Sequence, residues 1–330
     1  MLQGLEVVSM HRLLDMLAHR GFNSLRVPLS ATSVLSDPRP SQFGGMVGQV
    51  NPSLDSLKYL HVLDMLVVQA AQRGLLILLD MHRLSAGDRN NPLWHNAAVS
   101  EERLVDAWHV LAHRYCAASW NVIGADIFNE PWAAAWGHGG VQVDWAAASE
   151  RIGSNVSRSC PRWLIFVEGV SHTTASGEAA AGPQQSVHGH NWASNLEGWR
   201  HRPLVLPDKQ KLILSPHIYG PSVAPQEYFG AADFPANMPE IWEAHFGFVA
   251  STGAGCLVIG EWGGWFLGND AVWQRAFSAY LTKRKISSFY WALNPTSRDT
   301  GGLVLADWVT PHSQKLAMLS PMPGTPVDMA

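Results

Sequence analysis

Two glutamates stand at the ends of two apolar runs. Residues 123–132 read Ile-Gly-Ala-Asp-Ile-Phe-Asn-Glu-Pro-Trp: a strand-like approach delivers Asn129 and Glu130, and Pro131 then withholds the next backbone donor and stops the ladder. Residues 256–262 read Cys-Leu-Val-Ile-Gly-Glu-Trp, a continuous apolar run of the kind buried on both faces of a parallel strand, ending in Glu261. Carboxyls at the C-terminal ends of two parallel strands face the common mouth of an α/β barrel. Such a pair suits cleavage of a glycosidic bond, in which one carboxyl protonates the leaving oxygen while the other attacks the anomeric carbon or activates water. Asn-Glu-Pro alone is a short signal that an ordinary βα turn can also carry. The second glutamate in an equivalent place gives it weight.

The elements that must position them alternate along the whole chain. Helical spacing over 7–20, closed by Gly21, precedes a strand over 22–29; a Pro-, Ser- and Gly-rich mouth loop over 30–51 precedes a helix over 54–73 that Gly74 stops. Strands follow at 75–80, at the stretch before Glu130, at 163–167, at 212–214 running on through Tyr219, at 257–260 and at 286–291. Helices over 101–115, 144–158, 239–251 and 271–284 lie between them. The aperiodic stretch 171–209, rich in Gly, His and Trp, reads as a long loop, of a length that either covers a site or is disordered. Seven strands are counted where a closed (β/α)8 barrel needs eight, and the chain opens with the helix that should follow strand one. The expectation is one TIM-type domain over 1–330, N-terminally incomplete and lacking its first strand.

At 330 residues, 47% hydrophobic and 15% charged, the chain has ample material for one large barrel. A net charge of -4 with scattered Lys and Arg argues against a nucleic-acid or anionic-membrane surface. No run of about 18 apolar residues suggests a membrane span, and the first residues lack the character of a signal peptide. Fifteen Trp is an unusual number; flat apolar rings with a polar edge suit stacking on sugars, and about half are expected only to pack. The three Cys stand in no metal-ligand spacing, so neither a zinc site nor a disulfide framework is expected, and Cys256 is placed in a buried strand. The spacing of His188 and His190 fits metal ligands, but a Gly-rich surface loop without neighbouring carboxylates argues for no metal.

Polar residues gather at the C-terminal ends of the strands: Arg26, His82, Asn129 with Glu130, His217 with Tyr219, Glu261 and Trp291. In this pattern the chain resembles glycoside hydrolase family 5, within it the bacterial-type cellulases or endo-β-1,4-glucanases. The matching pieces are 22–28, 79–83, 128–131, 166–170, 215–219, 259–263, 290–295 and 299–302, in one order over nearly the whole chain. The resemblance implies a retaining hydrolase with Glu130 as acid/base and Glu261 as nucleophile. It further implies that Arg26 holds the nucleophile ionised, Asn129 bonds the sugar 2-hydroxyl, His82, His217 and Tyr219 orient the carboxyls and sugar, and Trp291 forms the stacking floor. Trp192 matches a cleft position; Trp94, Trp132, Trp136 and Trp265 lie in mouth loops and are weaker candidates. Asp126, deeper in its strand, reads as a buried structural acid.

The partner is a polysaccharide or oligosaccharide, with no cofactor called for, a monomer expected, and an extracellular location implied by the family. Family members open with a first strand and often a Trp after it, where this chain has Glu6. Two other readings stay open: hydrolysis of another β-linked glycan such as mannan, xyloglucan or a glycolipid, and a catalytically impaired glycan-binding protein.

Overall fold

Apolar positions recur at a period of two or in continuous runs where the chain forms strands, and at 3.6 where it forms helices, so strand and helix alternate along it. The computed structural model describes residues 3–39, 46–54, 56–322, 324, 325 and 327. Its strands, numbered in chain order, are β1 (Ser24–Ser30), β2 (Leu76–Arg83), β3 (Val122–Asp126), β4 (Leu164–Val167), β5 (Leu212–Leu214), β6 (His217–Tyr219), β7 (Cys256–Gly263) and β8 (Ser287–Tyr290). All ladders are parallel, β1 to β2 to β3 to β4 to β5 to β7, with β6 and β8 also on β7.

β5 and β6 are two sections of one barrel position. Both pair with β7, β5 against Cys256 and Leu257 and β6 against Glu261 to Gly263. Pro216, which has no N–H to give, interrupts them. That leaves seven strand positions in a TIM-type barrel. Among the described residues no ladder joins β1 to β8, although the two come within 8 Å of one another. The expected gap is where the sequence pattern puts it.

The barrel interior below the mouth is filled by Leu78, Phe166 and Ile213, with Leu164, Val258 and Phe289 packed against them. A larger core lies between the strands and the surrounding helices. Helix starts follow side-chain caps that satisfy an otherwise orphaned N–H. Ser9 accepts from Arg12 N (3.2 Å) before Met10–His19, Ser100 from Arg103 N (3.3 Å) before Glu101–Tyr115, and Asp144 from Ala147 N (3.1 Å) before Trp145–Ser159. The first helix therefore begins three residues later than its periodicity alone suggests.

Four expectations change. The mouth loop after β1 carries the helices Ala31–Ser36 and Met46–Val50, while residues 40–45 lie outside the described residues. The helix after β6 is interrupted by a π-helical turn, Glu243–Gly247. Cys256, at the start of β7, is exposed rather than buried. Finally, Cys116 and Cys160 form a disulfide, with Cα atoms 5.5 Å apart. Each is the residue next after a helix, and those two helices pack side by side, so the chain brings together cysteines 44 residues apart. Closing a loop of that length is worth about 4 kcal/mol on the chain-entropy account. Among the described residues no helix is long and apolar enough to cross a membrane.

Candidate active site

Arg26 leaves β1 toward the barrel axis with its side chain 3% exposed, and four carboxylates converge on it. Its Nε donates to Asp126 Oδ2 (2.8 Å), Nη1 to Glu261 Oε1 (2.5 Å), and Nη2 to Asn129 Oδ1 (2.9 Å) and Glu168 Oε1 (3.0 Å); Asp80 Oδ2 lies 3.1 Å from Nη1. A guanidinium suits this work because its donors form a rigid fork that stays charged when buried. Asp126 is thus the buried structural acid its depth in β3 suggested. Asp80 also accepts from or pairs with His82 Nδ1 at 2.8 Å, and the His82 ring lies parallel to Trp291, with centroids 5.3 Å apart and planes 6° apart.

Glu261 and Glu130 meet across the mouth. Tyr219 Oη donates to Glu261 Oε2 at 2.6 Å, and His217 Nδ1 stands 3.0 Å from Glu130 Oε1 and 3.5 Å from Glu261 Oε2. Carboxyl oxygens of the two glutamates lie within 4.8 Å of each other. Burial pushes the Glu261 carboxyl up, but the positive charges of His217, Arg26 and His82 and the Tyr219 hydroxyl bring it below the ordinary carboxylate value. Burial disfavours the His217 imidazolium, yet Glu168, Glu261 and Glu130 hold it well above the usual histidine value. Gly260, just before Glu261, makes room for this: a Cβ there would stand 2.5 Å from Ser215 Oγ and 2.9 Å from His217 Nε2.

Glu130 itself has φ 44°, in the left-handed region that a residue with a side chain rarely adopts. Its N–H donates to Glu168 Oε2 at 2.7 Å and its carbonyl accepts from Trp132 N at 2.7 Å. Glu168, fully buried at the end of β4, thus ties together Arg26, the Glu130 backbone and, at 3.1 Å, His217. Burial chiefly, opposed by His217 and Arg26, raises its carboxyl to about 8. Strand position alone does not rank Glu168 with Glu130 and Glu261, but its signal was the same as theirs, an acid closing an apolar strand.

The eight strand-end residues expected to act together do lie together. Trp192, 42% exposed, stacks on Trp132 (centroids 5.6 Å, planes 19° apart) and lines the same cleft as Glu130, Glu261 and Trp291. Trp94 and Trp136 are core residues instead. Both are buried, with their indole N–H groups donating to Glu101 and to the Arg202 carbonyl, because their loops fold back under the mouth. Trp265 remains 42% exposed. Asp126, Glu168 and His217, and likewise Glu130, His217 and Glu261, are close enough to share a metal ion, but Arg26 already supplies the positive charge against Asp126, Glu168 and Glu261.

The family described as Cellulase (glycosyl hydrolase family 5) matches residues 4–297. The chain belongs to that family. It is 36% identical over 326 residues to an endoglucanase of Paenibacillus polymyxa, covering 96% of this chain and 78% of that protein. It is 36% identical over 311 residues to the major extracellular endoglucanase of Xanthomonas campestris pv. campestris, covering 92% of this chain and 61% of that protein, so it spans less than two thirds of that relative's length. Among solved structures, an endocellulase of Pyrococcus horikoshii in complex with cellotetraose superposes with a TM-score of 0.88 at 34% identity, covering 97% of this chain and 88% of that one.

Proposed function

We propose that this family 5 chain is a cellulase-like endo-β-1,4-glucanase that cleaves internal bonds of cellulose or related β-glucans with retention of configuration, acting as one catalytic domain. The observation that carries the reading is the pair Glu130 and Glu261, within 4.8 Å at their nearest oxygens and set in unlike surroundings. A retaining pair stands about 5 to 5.5 Å apart, whereas an inverting pair leaves about 6.5 to 9.5 Å for a water. Glu261, held below the ordinary carboxylate value by His217, Arg26 and His82, is the nucleophile. Glu130, 12% exposed and open to the cleft, gives its proton to the leaving oxygen, and His217 then stabilises the carboxylate left behind. Glu130 next takes a proton from the water that releases the sugar.

Asn129, fixed by Arg26, offers its amide N–H to the 2-hydroxyl, a bond that strengthens as positive charge develops at the ring. Trp291, backed by His82, is the sugar floor, and Trp192 on Trp132 a second platform further along the cleft. The partner is a β-linked polysaccharide or oligosaccharide, the protein acts as a monomer, and no nucleic-acid or membrane surface is invoked. The Cys116–Cys160 disulfide and the extracellular Xanthomonas relative support action outside the cell.

The test separates the two glutamates. With a substrate whose leaving group needs no proton, Glu130→Ala forms the glycosyl-enzyme and stalls; azide restores turnover and yields the β-glycosyl azide. Glu261→Ala accumulates no intermediate, and azide gives the α-anomer. A β-azide from Glu261→Ala with no stalled species in Glu130→Ala would reverse the assignment. The gap between β8 and β1 favours a second reading, a glycan-binding protein with impaired catalysis. Turnover of carboxymethylcellulose supports the first reading; retention on cellulose without turnover supports the second.

A further inference from the structure

The long segment between β4 and β5 carries a histidine cluster that the cleavage reaction does not use. His190 is 6% exposed, and its Nε2 lies 2.9 Å from Glu197 Oε1. Glu197 is also held by Ser186, whose N–H (2.6 Å) and hydroxyl (2.7 Å) donate to its two oxygens. Against the other face of His190 stands His245, from the π-helical turn Glu243–Gly247, with ring centroids 3.7 Å apart. His172 stacks on His190 at 5.7 Å, and His188 lies 6.4 Å from His245 at the exposed side.

His245 Nε2 has no hydrogen-bond partner, although the residue is only 3% exposed. An unpaired buried nitrogen costs about 1–3 kcal/mol, so its retention calls for a reason. Ligand atoms of His190, Glu197 and His245 all lie within 4.8 Å of one another. π-helical turns recur at functional sites.

We propose that His190, His245 and Glu197 form a site for one divalent cation of the zinc class, which clamps the 171–209 segment to the π-helical turn. Two imidazoles and a carboxylate are a donor set that zinc accepts, with the fourth position left to water. Metal–ligand distances of about 2.0–2.2 Å at tetrahedral angles put ligands about 3.4 Å apart, so the His190–Glu197 contact opens by about 0.5 Å as the cation takes the place of a proton. The two rings are now stacked 33° apart, so His245 must turn about its Cβ–Cγ bond to bring Nε2 to the ion. Ser186 and Ser194 are the outer partners, Ser194 Oγ being 3.5 Å from His190 Nδ1. Since Trp192 follows His190 by two residues, the ion would stiffen the loop that holds that platform.

The whole chain, freed of metal by a chelator, is titrated with zinc chloride by calorimetry, and its melting temperature is followed. The expected result is one saturable equivalent and a higher melting temperature. His245→Ala and Glu197→Gln should each weaken zinc by more than the roughly 10- to 100-fold that altering an outer partner costs. His11→Ala, at an exposed surface pair, should leave it unchanged. If His245→Ala fails to fold, Glu197→Gln and the cobalt(II) spectrum of the unaltered chain decide: an intense tetrahedral band supports the site. Absence of saturable binding, binding unchanged in Glu197→Gln, or only weak octahedral cobalt bands overturns it.

Discussion

The wall from β2 to β5 and the seam between β8 and β1 are made of the same kind of strand in different circumstances. In the wall, Ile77, Leu78, Leu79, Val122, Ala125, Ile165 and Val167 are all 0% exposed, and every strand is paired on both sides. At the seam, Ser287 is exposed, Ser288, Phe289 and Tyr290 are half-buried, and the first three residues of β1 are half-buried as well. Unpaired strand edges are a liability, since their free N–H and C=O groups recruit other strands. Yet Arg26 and Trp291 sit on or beside the seam, while Glu130 and Glu168 belong to the wall. The site is therefore anchored largely in the closed part of the barrel, and the seam contributes Arg26 and Trp291 to it.

The strongest way to break that comparison is Arg26→Met. It leaves Asp80, Asp126, Glu168 and Glu261 buried without the guanidinium they share, which should cost about 3–5 kcal/mol in urea unfolding and abolish turnover of carboxymethylcellulose. A variant of unchanged stability would mean that these buried acids do not depend on its charge. The wall has its own staple: Cys116→Ala should lower stability by up to about 4 kcal/mol, read as a lower denaturation midpoint than the oxidised parent but one equal to the reduced parent.

The network should also show in pH dependence. Glu168 has a folded value raised to about 8, so its contribution to stability is complete below the ordinary glutamate value and is lost as pH rises through about 8; His217, also raised, acts in the same direction. Glu261, lowered, contributes above the ordinary value and loses that contribution as pH falls through its folded value. Glu168→Gln should flatten the decline in melting temperature over roughly pH 5 to 8. An unchanged slope would assign the decline to His217 and to Asp126, whose carboxyl burial raises to about 6. The smallest effect belongs to the cleft rim. Trp192→Ala should weaken oligosaccharide binding about tenfold, or about 1.4 kcal/mol, while a small activated glycoside is turned over as before; equal loss on both would make Trp192 a support of the fold.

What the sequence made legible follows the reach of its signals. Strand ends are local, so Glu130, Glu261, Arg26 and His217 could be placed at one mouth from apolar runs and the residues that stop them. Glu168 carried the same local signal, but its importance comes from bonding Arg26 and the Glu130 N–H, which only the folded chain displays. The disulfide depended on two helices ending side by side, and the histidine cluster on His245, 55 residues beyond His190, turning inward on a π-helical turn. Trp94 and Trp136 looked like mouth residues because loop membership was visible and loop direction was not.

The left-handed backbone at Glu130 sets chemistry against conformation at a single torsion. Glycine is the residue that this φ would favour, and the carboxyl is the group that the proposed reaction needs. On the proposed mechanism, a glycine there would ease the backbone and remove the acid/base at one stroke, so foldedness and activity pull in opposite directions at this residue.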